Sequence, residues 1–133
     1  MHISQFIAEQ LKAGAMGLSK TSDQVVTLAD SEFLRFNKVF EAPREVLSAI
    51  AGEGFKEFQW NRDKLHSTGE AAITFNDQRF EKGAELGKKI SDMAKHVKAD
   101  VIVTLSAIAK TNISKSTDIK TVEFTEFVAG LLG

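Results

Sequence analysis

The stretch FKEFQWNRDKLHSTGEAAITF, residues 55–75, decides how the sheet of this 133-residue chain is drawn. Phe58 and Trp60 alternate in its first third, and Ala71, Ile73 and Phe75 alternate in its last. Two alternating runs joined by a polar connection with a glycine, Gly69, read as a hairpin. The expected fold is therefore α+β, with a small, mainly antiparallel sheet and two to four helices.

Outward from that stretch, residues 78–98 form the strongest helical signal. Phe80, Ala84, Leu86, Ile90, Met93 and Val97 make an apolar stripe. Glu85 precedes Lys89 by four, and Lys95, His96 and Lys98 crowd the end where the helix dipole favours cations. Gly83 and Gly87 are read as tolerated glycines, with close approach of a second backbone as the alternative. Upstream, Pro43, Glu45, Val46, Leu47 and Ile50 mark a short helix stopped by Gly52. Near the start, Ile3, Phe6, Ile7 and Leu11 recur at helical spacing, with Ser4 as the expected cap.

Downstream, Val101-Ile102-Val103-Thr104-Leu105 is β-rich and almost continuously apolar, which suits a strand covered on both faces. Val25 to Leu28 is a second short strand. Residues 111–118 read as a polar turn region. Two segments carry both periods. Phe33, Phe36 and Phe40 step as a helical face that Asp30 or Ser31 would cap, yet residues 34–40 also alternate. Val122 and Phe124 alternate, while Phe124, Phe127, Val128 and Leu131 have helical spacing.

Composition narrows the function. The chain holds ten Phe, one Trp, no Tyr and no Cys, and its net charge is -1. Phenylalanine offers only an apolar body, so these residues fill a core or an interface. Phe6, Phe58, Phe75 and Phe80 are assigned to the core. Without cysteine there is neither a thiol nucleophile nor a Cys-based zinc site. The length suits one domain, residues 1–133, able to fold without disulfide or metal. Glu9, Gln10 and Lys12 interrupt the first apolar run, so a signal peptide or membrane span is not expected. The expected location is the cytoplasm or an assembled particle.

Three places invite chemistry. Asp63, His66 and Glu70 lie close together in the 63–70 loop, where carboxylate and imidazole could share acid–base work or a cation. Their spacing matches no recurrent motif, and a solvated loop is the simpler assignment. His2 and His96 have no evident partners. Residues 79–98 carry six basic and three acidic residues, but the acidic ones interrupt the field and no Tyr is available for stacking, which argues against nucleic acid. No cofactor, metal or small-molecule substrate is implied.

The function expected from these features is non-enzymatic: a structural subunit of a homo-oligomeric assembly, such as a phage tail or capsid component. Its partners would be other copies of itself and neighbouring assembly proteins. The candidate contact residues are Phe33, Phe36, Phe40, Phe124, Phe127, Leu131 and Leu132. Two alternatives stand beside it. One is a small inhibitor, immunity or regulatory protein with a single macromolecular partner. The other is a small hydrolase or metal-dependent enzyme using the 63–70 loop.

Overall fold

A computed structural model describes residues 1–70 and 79–132, with residues 79–84 described by their backbone alone. The sheet is not antiparallel. Four strands, β1 (Val26–Ala29), β2 (Phe55–Lys56), β3 (Val101–Thr104) and β4 (Lys120–Glu123), pair in the order β2-β1-β3-β4. Among the described residues every pairing between these strands is parallel, with Val26 opposite both Phe55 and Val101, and Val101 opposite Lys120.

Six helices accompany the described strands: α1 (Ile3–Lys12), α2 (Glu32–Phe36), α3 (Glu41–Ala51), α4 (Arg79–His96), α5 (Ala107–Ser114) and α6 (Phe124–Ala129). The fold is α/β. The continuous apolar character of residues 101–105 reflects this arrangement, because parallel strands are covered on both faces. All four residues of β1 and of β3 are buried.

The two faces carry separate cores. Val26, Leu28, Val101 and Val103 meet Ile7, Val46, Leu47, Ile50, Phe124 and Val128 from α1, α3 and α6. Ala29 and Ile102 meet Ile90, Ala94 and Ile113 from α4 and α5, together with Phe58. Successive side chains on a strand point to opposite faces, so a four-residue strand supplies both layers.

The first strand of the expected hairpin is cut short, because the chain leaves the sheet after two residues. Glu57 turns to Arg44, Phe58 inserts into the α4/α5 core, and Trp60 remains half exposed. Its expected second strand, Ala71 to Phe75, lies outside the described residues, as does the side chain of Phe80. Phe6, assigned to the core, is instead an exposed large hydrophobic on α1.

The ambiguous segments resolve in two ways. Residues 32–36 are helical, with the Ser31 hydroxyl accepting from the Phe33 and Leu34 amides. Residues 120–129 use both of their periods in turn, as strand β4 and then helix α6. The polar turn expected from residue 111 is replaced by α5, which Ser106 caps at the Ala109 amide. The Pro43 helix and the long helix form close to their expected bounds.

Gly87 is not merely tolerated. A Cβ there would lie 2.6 Å from the Asn112 carbonyl oxygen, so the α4 and α5 backbones touch at this point. Gly87→Ala gains about 1 kcal/mol of helix propensity. It must also separate two packed helices, which costs about 1–3 kcal/mol. A net loss in urea unfolding is expected; a stabilised variant would contradict the close approach.

Candidate functional site at the carboxyl edge of the sheet

From β1 the chain moves to β2 on one side, and β3 then pairs on the other. In such sheets the connections diverge outside the carboxyl ends of the two central strands, leaving a crevice there. Asp30 and Ser31 leave β1 at this edge, and Leu105 and Ser106 leave β3. Two polar clusters occupy it.

The first is built around Arg44, which is only 4% exposed. Its Nη1 and Nη2 donate to the two Asp30 carboxylate oxygens at 2.8 and 2.6 Å. Its Nε and Nη2 also donate to Glu57 at 2.6 and 3.1 Å, and Nη1 donates to the Phe40 carbonyl at 2.7 Å. The Arg62 amide completes Asp30 at 2.8 Å, while the Arg62 guanidinium grips Glu41 at 2.6 and 3.1 Å.

Burial alone would lower the Arg44 pKa. The hydrogen bonds that Arg44 donates to Asp30 and Glu57 outweigh it, and the net shift is upward. The Arg62 bond holds Glu41 below the usual carboxylate range and raises Arg62 in return. These groups are matched to one another, and the cluster fixes the edges of β1, β2 and α3.

The second cluster is centred on Glu70, which is fully buried. The Ser31 hydroxyl donates to both of its carboxylate oxygens at 3.1 Å, and the Glu32 amide donates at 2.6 Å. The Ser106 hydroxyl makes a short bond to the same group. Among the described residues no cation is paired with Glu70. The Asn112 amide holds the Thr68 carbonyl at 2.9 Å, so residues 68–70 are pinned to α5 as well.

The loop triad of the sequence reading does not assemble. Glu70 is committed to the serines, Asp63 is exposed, and His66 Nδ1 lies 3.0 Å from its neighbour's Ser67 carbonyl. Among the described residues no group of three His, Asp or Glu is placed to hold a metal ion. His96 is exposed near the end of α4.

His2 has a role that its sequence context did not suggest. Its Nδ1 accepts from the Ser4 amide at 3.2 Å and caps α1. Burial lowers the His2 pKa, Glu123 opposes that, and the chain's amino group adds to the lowering. The folded protein therefore binds this proton less readily than the unfolded chain. The resulting stability is complete above the unfolded value of about 6.5 and is lost as pH falls below it. His2→Asn keeps a capping oxygen without the titration. Urea midpoints compared at about pH 7.5 and 5.5 should fall less in this variant than in the parent.

The candidate contact residues separate cleanly. Phe124 is 1% exposed and Phe40 is also buried. Phe127, Leu131 and Leu132 are partly buried against the α1/α3/α6 core. The tail is tied down within its own chain: Leu132 bridges Leu18, and the Leu131 carbonyl accepts from the Ser19 amide at 2.8 Å.

Phe33 and Phe36 go the other way. On α2, directly after β1, Phe36 is 85% exposed and Phe33 48%. Met1 is exposed too, and His2, Gln5, Leu34 and Asn37 line a recess with it at the start of α1. Trp60, in the connection leaving β2, is another exposed aromatic. No described helix is long and apolar enough to cross a membrane. Comparison with protein-family models, with curated proteins and with solved structures found no match.

Proposed function

We propose that this chain works by protein–protein contact, as a subunit that meets a second copy of itself through α2. The observation that carries the reading is the exposure of Phe36 and Phe33 on one short helix at the carboxyl edge of the sheet. Large apolar side chains gathered at one exposed place mark contact surfaces more often than single scattered ones do. Aromatic side chains are also enriched where protein surfaces meet.

The charges of α2 favour a like partner. The segment reads Glu32-Phe33-Leu34-Arg35-Phe36-Asn37-Lys38, acidic at its start and basic towards its end. A two-fold, antiparallel apposition places Glu32 of one copy towards Arg35 and Lys38 of the other, with the phenylalanines between them. Isologous contacts need this self-complementarity. In the crevice behind α2, by contrast, the Glu70 carboxylate is bonded to Ser31 and Ser106 and the Arg44 guanidinium to Asp30, which supports contact over chemistry at this edge.

Light scattering on the parent and on Phe33→Ser/Phe36→Ser tests the proposal. The parent should show a mass of at least two chains that falls as it is diluted. The double variant should be a folded monomer under the same conditions. A monomeric parent, or an unchanged assembly in the variant, overturns the reading.

A further inference from the structure

We propose that Glu70 is the positioning residue of the α2 contact: it holds α2 in place from behind without touching the partner. This rests on the reading of α2 as the contact surface.

Three features carry the inference. First, Glu70 reaches α2 twice, through the Ser31 hydroxyl and the Glu32 amide. Ser31 is also the cap of α2, because its oxygen accepts from the Phe33 and Leu34 amides at 3.2 and 3.4 Å. The orientation of that hydroxyl is therefore fixed from both sides, by amides that donate to it and a carboxylate that accepts from it. Second, α2 is five residues long and none of them is buried. So short a helix has little stability of its own; Leu34 gives it one partly buried anchor on the core, and the clasp adds order at its start. Third, the same carboxylate takes the Ser106 hydroxyl, which caps α5. Glu70 thus ties the beginning of α2 to the beginning of α5 across the β1/β3 crevice.

A buried carboxylate that takes four hydrogen-bond contacts and no described cation is costly to keep unless those bonds are intact. Replacing it leaves two serine hydroxyls and one amide to find other partners. Loosening then reaches the residues they cap, Phe33 among them. Whatever withdraws residues 68–70 from the crevice would release the contact surface in the same way. Residues 68–70 are therefore a control element for association.

Glu70→Gln, which keeps the side-chain volume, is the first variant. Ser106→Ala, which removes only the α5 arm, is the second. Amide hydrogen exchange is read at Phe33, Leu34 and Arg35 and, as the reference, at Val101 and Val103 in β3. In Glu70→Gln, exchange across α2 should quicken about tenfold relative to β3, as for loss of a charge-assisted bond. Self-association should weaken by a similar factor, and Ser106→Ala should do both to a smaller extent. General destabilisation would speed β3 and α2 alike and would overturn the positioning role. So would unchanged exchange at α2, or a loosened α2 with association intact. If the parent proves monomeric, the contact reading fails by itself, and exchange at α2 still decides whether Glu70 orders the helix.

Discussion

Arg44→Met will destabilise the fold by about 3–5 kcal/mol, the cost of leaving a buried charge without its partner. Asp30 is itself buried and would keep only the Arg62 amide of its three donors. Glu57, partly exposed, can turn to water, so Asp30 bears most of the loss. Methionine fills much of the volume, which keeps the effect electrostatic rather than a matter of a cavity. Removing both charges, as in Asp30→Leu/Arg44→Met, should recover part of the loss, since an apolar pair of similar size has no charge to desolvate. The measurement is the urea midpoint with its slope. A loss below about 1 kcal/mol for Arg44→Met would mean that Asp30 is not held as described.

Phe124→Ala will cost a similar amount, about 3–5 kcal/mol, by removing a ring enclosed on the α1/α3/α6 face. Phe124 sits where β4 becomes α6 and packs with Val103, Leu105 and Val128. Few neighbours can collapse into the space because the strands behind it are fixed by the ladder. Phe36→Ser should change the stability of the monomer by no more than about 0.5 kcal/mol, because the ring is already in water. The two substitutions thus separate two uses of one residue type. Comparable losses at both positions would contradict the burial that distinguishes them.

The same contrast shows what was legible in the sequence. Long periods were readable: α4, α3 and α1 each have enough turns for their apolar stripe to repeat. The apolar run at residues 101–105 was already evidence for a strand covered on both faces, and hence for a parallel sheet. It was outweighed by the apparent hairpin at residues 55–75. The antiparallel expectation arose because β2 is only two residues long, so Phe58 and Trp60 alternate after the chain has left the sheet. Helix α5 was hidden by its polar half, Thr111 to Ser114. Its signal was the cap, Ser106, three residues before the Ala109 amide that it receives.

The carboxyl-edge clusters were not legible at all. Glu70 joins serines 39 and 36 residues away, and Arg44 meets Asp30 across 14. Such distances in sequence close only when the strand order is known. Once β1 and β3 are adjacent and parallel, a small polar residue two positions after the end of each strand becomes informative: Ser31 and Ser106 then meet at one crevice. The phenylalanines were half legible. Phe33 and Phe36 were named as contact candidates together with Phe40 and Phe124, since periodicity alone does not say which side of a short helix is covered.

The chain contains no cysteine, so one introduced thiol can form a disulfide only with another copy. Arg35→Cys places that thiol near the middle of the exposed surface of α2, and Lys88→Cys places it on an exposed position of α4 as a control. Disulfides form readily only between Cα atoms less than about 7 Å apart. Under mild oxidation at a concentration where the parent associates, two-fold apposition through α2 predicts rapid, near-complete dimer from Arg35→Cys and little from Lys88→Cys. Equal, slow yields at the two positions would contradict it.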